Sequence, residues 1–314
     1  MRPAVANRRV FLGLAAGLAG SGLLDSILPT SIAHGRAAVR MAAPTAAQAT
    51  AAPALQIGVC AGPDRAPALA RAGADFVELA CQRDLAGSWS STELRERLDA
   101  LRALAVPARA ANSFLPGRLR CTGPNADHDA VLDEARMVFE RAHAVGIDTV
   151  TFGSAAARTP PDGYAHADAE LQLVALLARL AEPAREAGVV LCLEPLQRSE
   201  TDFVNRVSEG LRLVRAVDHD HVRLTADLFH MAREDEGADV LVRAAPYVHH
   251  LHVAENEGRR APGVHGDDFV PALRALVAAG FRGRVSVECR FVDFDAELPR
   301  ALSTLRSQLA AACE

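Results

Sequence analysis

Four residues able to bind a divalent cation fall at the ends of successive short apolar runs in the second half of the chain. Glu194 follows Leu191-Cys192-Leu193, Asp227 follows Leu224-Thr225-Ala226, His252 lies in His250-Leu251-His252-Val253, and Glu288 follows Val285-Ser286-Val287. Three carboxylates and one imidazole form a donor set rich in oxygen, which suits Mn²⁺, Co²⁺, Mg²⁺ or Fe²⁺ better than a closed structural Zn²⁺ site, although Zn²⁺ accepts the same donors. Carboxylates gathered at one point repel one another unless a cation sits among them, so convergence of these runs would call for a metal. A single Glu in such a place reads equally well as a helix cap or an arginine partner; four suitable side chains on four consecutive runs carry the expectation. His250 and His252 are two apart and share one face of an extended segment. His252 lies nearer the carboxyl end and is the expected ligand. His250, one layer deeper, is expected to pack or to support it, with His249 turned toward the helices.

The elements that must position these residues recur regularly. Short apolar runs occur at 55–60, 76–79, 108–113, 149–152, 189–193, 222–226, 248–253 and 285–287, with segments of helical spacing between them such as 91–104, 130–144, 167–187 and 268–279. Ser91 with Leu94 and Leu98 reads as a capped amphipathic start, and Gly146, Gly188 and Gly280 stand where helices should stop. Eight strand–helix repeats predict an α/β fold, a single-domain (β/α)₈ TIM barrel over residues 55–314, and such barrels carry their chemistry at the carboxyl ends of the strands. A doubly wound open sheet would usually show a glycine-rich turn after its first strand, and Cys60-Ala61-Gly62-Pro63 is not one.

Composition narrows the chemistry further. The chain has 314 residues, 50% of them hydrophobic, and a formal net charge of −5, without the basic excess expected of a nucleic-acid binder. All 34 basic residues are Arg, so Schiff-base aldolases, pyridoxal enzymes and Walker-type phosphate loops, which need a Lys amine, are excluded. The 6 cysteines (Cys60, Cys81, Cys121, Cys192, Cys289 and Cys313) form no C-x-x-C pair, so no zinc ribbon or dense disulfide framework is readable.

The amino-terminal segment reads as an address. Arg8-Arg9-Val10-Phe11-Leu12 precedes an apolar run that ends near Leu24 and is followed by Asp25, too short to span a bilayer. Residues 1–33 are expected to be a twin-arginine (Tat) signal, with Ser31-Ile32-Ala33 as a cleavage site, placing the mature protein in the periplasm or outside the cell. Residues 34–54, rich in Ala, Thr and Pro, are expected to be a disordered tether. The partners expected are a small carbohydrate and the export machinery, with no nucleic acid and no stable membrane span after processing. Ala- and Leu-rich outer helices would suit either their neighbours or a second copy of the chain in a homo-oligomer.

The stretches Leu193-Glu194-Pro195-Leu196-Gln197-Arg198-Ser199-Glu200-Thr201, Asp227-Leu228-Phe229-His230-Met231, His250-Leu251-His252 and Val287-Glu288, with Asn112-Ser113-Phe114-Leu115-Pro116-Gly117, resemble the xylose-isomerase-like TIM-barrel superfamily. Within it they are most similar to the D-tagatose 3-epimerase and hydroxypyruvate isomerase branch. The resemblance implies one divalent ion held by Glu194, Asp227, His252 and Glu288, with Glu200 and His230 on the substrate. It also implies an Arg six residues after the metal His. Gly258 stands there, followed by Arg259 and Arg260, and Arg259 is taken as the substrate contact. Trp89 and Phe114, and Phe229 where packing is at least as good a reading, are the candidates for stacking on a sugar.

Such a site would acidify the C–H beside a metal-chelated carbonyl, Glu194 and Glu288 removing and returning the proton through an enediolate. Return to the same carbon epimerises; return to its neighbour isomerises. The expected function is therefore a metal-dependent isomerase or epimerase of an unphosphorylated ketose or small keto-sugar. Alternatives are a dehydratase or lyase acting on a keto-inositol or 3-keto-glycoside, and a non-catalytic periplasmic sugar-binding module. An apurinic endonuclease of the same fold would need further ligands, for which Glu78, His230 and His265 are available, but the charge and the export signal argue against DNA.

Overall fold

The computed structural model describes residues 55–314. The export signal expected in 1–33 and the tether expected in 34–54 lie outside the described residues. Eight parallel strands close into the expected barrel: β1 (Ile57–Cys60), β2 (Phe76–Ala80), β3 (Ala108–Asn112), β4 (Thr149–Phe152), β5 (Val190–Leu193), β6 (Val222–Asp227), β7 (Val248–Val253) and β8 (Arg284–Val287). Each pairs with the next, and β8 returns to β1 with Ile57 opposite Val285. Around them run α1 (Ala66–Ala72), α2 (Ser91–Arg102), α3 (His128–Val145), α5 (His166–Glu186), α6 (Val207–Val217), α8 (Asp239–Ala244), α9 (Val270–Ala278) and α10 (Phe294–Ala312). Two further short helices, α4 (Ala155–Arg158) and α7 (Leu228–Arg233), sit directly after β4 and β6. Among the described residues no helix is long and apolar enough to cross a membrane.

Local chemistry explains the helix boundaries. The cap of α2 is Ser90, not Ser91: its hydroxyl accepts from Glu93 N at 3.3 Å while the Glu93 carboxylate accepts from Ser90 N at 2.9 Å. This reciprocal box satisfies two amide donors that a helix start leaves free. Asp127 caps α3 through Ala130 N, and α3 stops at Gly146, whose φ of +84° is a left-handed conformation that a side chain would oppose.

The strands alternate in a way that separates stability from chemistry. Side chains facing the helices are apolar, among them Ile57, Val59, Val77, Leu79, Val150, Phe152, Leu191, Leu193, Leu224, Leu251, Val253, Val285 and Val287, all in one buried cluster with the inner faces of the helices. Each such Val or Leu contributes about 1.5–3 kcal/mol relative to exposure. Side chains facing the bore are largely polar, as contacts between non-adjacent strands reveal. Thr151 of β4 meets Thr225 of β6 at 2.9 Å, and Glu78 of β2 meets His250 of β7 at 2.7 Å. Gly58 makes room there for the Phe76 ring, since a Cβ at Gly58 would lie 2.3 Å from it. The hydrophobic core is thus the ring between strands and helices, and the bore carries ionisable groups toward the carboxyl end.

Candidate metal centre and active site

Glu194, Asp227, His252 and Glu288 converge at the carboxyl end of the bore, each offering a ligand atom within 4.8 Å of the others. His252 Nδ1 lies 2.8 Å from Glu194 Oε1 and 3.2 Å from Glu288 Oε2. Asp227 ends β6 and doubles as the cap of α7: its Oδ1 accepts from Phe229 N at 2.7 Å, leaving Oδ2 turned to the cluster. Asn112, at the end of β3, donates to Glu288 Oε1 at 3.1 Å and holds that carboxylate from the opposite wall. One side chain from each of several strand ends meets here because the closed sheet makes their successive carboxyl termini neighbours.

Burial sets the electrostatics. Burial is the largest influence on Glu194 and pushes its carboxyl up, with the charge of Glu288 acting the same way. Burial also disfavours the ionised form of Glu288, but His252 and Arg259 outweigh it and hold this carboxyl below the usual range. Burial alone would lower the His252 imidazole; the carboxylates of Glu78, Glu288 and Glu194 reverse this and hold it well above the ordinary histidine value. The cluster therefore draws in positive charge, and a donor set of three carboxylates and an imidazole meets the requirements of one divalent cation.

Arg259 supplies part of that charge. Its Nη2 donates to Glu288 Oε2 at 2.6 Å and to Asp227 Oδ2 at 3.0 Å, Nη1 lies 3.8 Å from Glu200, and its plane covers the Phe229 ring at 4.9 Å. Arg260 instead turns to Glu297, so Arg259 is the arginine that reaches the site. The backbone there is strained, with Arg259 at φ +53°. Fully buried Glu255, just after β7, holds this loop by accepting from the amides of Gly263, His265, Gly266 and Asp267. Glu255→Ala is expected to leave those donors unpaired and free the loop, raising KM about tenfold or more with a smaller fall in kcat, and to lower stability by about 1–3 kcal/mol. Steady-state kinetics and a denaturant titration check it; unchanged KM would show that the loop does not depend on this carboxylate.

A cavity of about 290 Å³ opens above the cluster, lined by Asn112, Ser154, Glu194, Glu200, His230, Arg259 and Glu288 among others. Ser113 and Ser154, which also line it, have φ of +52° and +37°, so three of its loops hold left-handed residues at the rim. His230 is buried, with Nε2 3.4 Å from Asp227 Oδ2 and Nδ1 accepting from Gln197 N at 3.3 Å. Glu200 is more open and is steadied by Gln197 Nε2 at 2.9 Å. A larger cavity, about 430 Å³, lies at the amino end of the barrel between Asp148, His249 and Arg284, remote from this cluster.

Two expected sugar-stacking residues are elsewhere. Trp89 is clasped between Arg97 and Arg141, whose guanidinium carbons lie 4.6 and 4.9 Å from its ring centre, and it does not line the cavity. Phe114 is fully buried, stacked on Phe139 at 5.3 Å and edge-on to Phe152 at 5.4 Å. Both rings satisfy packing: one covers the stems of two arginines, the other fills the shell behind β4. His265 turns to Glu257 and is not among the clustered ligands.

Two further residues near the site have surroundings that the sequence does not reveal. Glu78 is buried beneath His252, and its carboxyl is held well below the usual range: burial opposes ionisation, but His252 and His250 outweigh it. Its place in an alternating strand, Phe76-Val77-Glu78-Leu79, was the available clue. Arg158, at the end of α4, is fully buried with no hydrogen-bond partner for its three side-chain nitrogens. Burial pushes it down to about 10 against the opposing charges of Glu194, Cys121 and Glu200.

A closed parallel barrel with a carboxylate–imidazole cluster at its strand ends defines a (β/α)₈ protein whose clustered side chains could hold a metal ion beside a small polar cavity. The chain belongs to the xylose isomerase-like TIM barrel family, whose model matches residues 66–308. It is 36% identical over 110 residues to a D-psicose 3-epimerase of Ruminiclostridium cellulolyticum, covering 35% of this chain and 37% of that protein. It is 32% identical over 112 residues to a 3-dehydro-D-guloside 4-epimerase of Escherichia coli, covering 35% and 42%. The matched stretches thus span well under half of these relatives. In three dimensions it resembles the D-allulose 3-epimerase from Methylomonas sp. solved with D-allulose, with a TM-score of 0.71, 22% identity, and coverage of 81% of this chain and 97% of that one.

Proposed function

We propose that this protein is a divalent-metal-dependent epimerase or isomerase of an unphosphorylated ketose or small keto-sugar, with Glu194 and Glu288 as its proton-transferring pair. The observation that carries the reading is the meeting of two carboxylates, one buried and one partly open to the cavity, on one imidazole nitrogen at 2.8 and 3.2 Å, on the wall of a cavity of sugar size. A divalent ion held by Glu194, Asp227, His252 and Glu288 would supply Lewis acidity to a substrate carbonyl and its neighbouring hydroxyl. Glu288, paired with the Arg259 guanidinium at 2.6 Å and open to the cavity, takes the proton from the carbon beside that carbonyl. Glu194, beside His252 on the other side of the cavity, delivers a proton from there. Delivery to the same carbon gives the epimer, and delivery to its neighbour gives the isomer. His230 and Glu200 bind substrate hydroxyls, and Arg259 stabilises negative charge as it develops.

The D-psicose 3-epimerase relative supports a free ketose. A second reading, a 3-keto-glycoside, rests on the 3-dehydro-D-guloside 4-epimerase relative. Incubating the Mn²⁺- or Co²⁺-loaded protein with ketoses, hydroxypyruvate, keto-inositols and 3-keto-glycosides in D₂O separates them. Deuterium at carbon 3 of a ketose supports the first reading and at carbon 4 of a keto-glycoside the second. Loss of water or aglycone would mark a lyase, and binding without exchange a sugar-binding protein.

We also propose export of the folded protein through the Tat pathway, on the strength of Arg8 and Arg9 ahead of the apolar run. Folding before export would let the metal load in the cytoplasm, and phosphorylated sugars would not be met outside. The Arg8→Lys, Arg9→Lys double variant is expected to stay in the cytoplasm, as fractionation and immunoblotting would show; normal export of that variant would end the proposal.

A further inference from the structure

We propose that Glu78 is a positioning residue that fixes the tautomer of His252, so that Nδ1 rather than Nε2 is the nitrogen offered to the metal. The inference rests on the metal centre proposed above and deepens it. Glu78 projects into the bore from β2, His250 and His252 from β7, and all three are buried. Glu78 Oε1 lies 3.0 Å from His252 Nε2, and Oε2 lies 2.7 Å from His250 Nε2. A carboxylate only accepts, so each oxygen takes an N–H from one ring. With one proton committed to Glu78 at Nε2, the proton that His252 would give up to an incoming cation is the one on Nδ1, which frees that lone pair on the side where Glu194 and Glu288 stand. His250 fixes the carboxylate in turn. Its own Nδ1 has no partner, so a ring carrying its proton on Nε2 leaves an unpaired acceptor there rather than a buried N–H.

The alternative is also built into the site. The Cys60 thiol, Glu78 and His252 bring donor atoms within 4.8 Å of one another, so a thiophilic ion seated there would use Nε2 and displace the Glu78 contact. The two arrangements demand opposite nitrogens of the same ring.

Glutamine at position 78 has one acceptor and one donor arm. If its oxygen serves His250, its amide faces His252 Nε2, which must then accept, and the proton moves to Nδ1 in front of the metal. The reverse orientation forces an N–H onto the partnerless Nδ1 of His250. Either way the arrangement that frees Nδ1 of His252 is weakened.

The experiment uses ¹⁵N-labelled protein loaded with Zn²⁺, a diamagnetic probe, with His252 resonances assigned by their loss in His252→Gln. Long-range ¹H–¹⁵N correlation is expected to show Nε2 protonated and Nδ1 metal-bound; a metal-bound Nε2 overturns the proposal in favour of the Cys60 set. Calorimetric titration with Mn²⁺ is expected to show about 10–100-fold weaker binding to Glu78→Gln, checked as folded by circular dichroism. Equal affinity overturns the inference while leaving the metal centre standing. Absence of binding by the unsubstituted protein overturns both. If Glu78→Gln does not fold, the spectrum of the unsubstituted protein decides alone.

Discussion

Glu288→Gln, saturated with Mn²⁺, is expected to lose deuterium exchange beside the substrate carbonyl, and Glu194→Gln to lose turnover, each by about 10²–10⁴-fold, the range typical for removing a positioned acid or base. The substitution keeps the shape and one ligating oxygen but removes the proton-carrying group. The two losses should differ in character. Glu288 is held by Arg259 at 2.6 Å and by Asn112 at 3.1 Å, so its removal also releases the guanidinium. Glu194 rests mainly on His252, and its removal leaves those contacts intact. With a substrate labelled at the reacting carbon, Glu288→Gln should block loss of the label if Glu288 is the abstracting base. Glu194→Gln should instead permit slow washout while blocking product formation. Exchange and turnover within twofold of the unsubstituted protein in either variant would remove that carboxylate from the mechanism.

Chelation of the metal is the second large effect. Protein treated with a chelator and dialysed is expected to lose all measurable turnover and to regain it with Mn²⁺ or Co²⁺. A ligand present at a hundredfold excess over its Kd stabilises the folded state by about 2.7 kcal/mol. For a domain of this size each kcal/mol corresponds to roughly 2–4 °C, so Mn²⁺ should raise Tm by roughly 5–10 °C in scanning calorimetry. The physical source is the cluster itself: three carboxylates crowd His252, and Arg259 shares only two of them, Asp227 and Glu288, at hydrogen-bond distance. Asp227→Asn should reduce the metal-induced rise and also weaken the start of α7, which Asp227 caps. Turnover unaffected by chelation, together with a Tm insensitive to Mn²⁺, would rule out a resident metal.

The barrel was legible in the primary structure because parallel strands with helices on one face must be apolar on that face. The runs at 149–152 and 248–253 match β4 and β7 to the residue. The four candidate ligands were legible for a related reason. A charged residue closing a β-branched or Leu-rich run is out of place unless the strand end is a site, and four in succession leave little room for coincidence. Rings and loops were another matter. Trp89 in a polar stretch looks free to meet a sugar, yet Arg97 of α2, close in sequence, and Arg141 of α3, far from it, both lie over its ring. Phe114 follows a strand end that does reach the cavity, but the left-handed turn at Ser113 sends its ring into the shell instead. Glu78 was legible only as a spare ligand; its pairing with His250 and His252 was hidden because they lie 172 and 174 residues away, across a bore that exists only once β8 has closed onto β1. Spacing along the chain carries the period of each element and the identity of its end residues. Which side chains meet across the barrel depends on closure, shear and loop path, because those contacts join strands that are neighbours neither in sequence nor in the sheet.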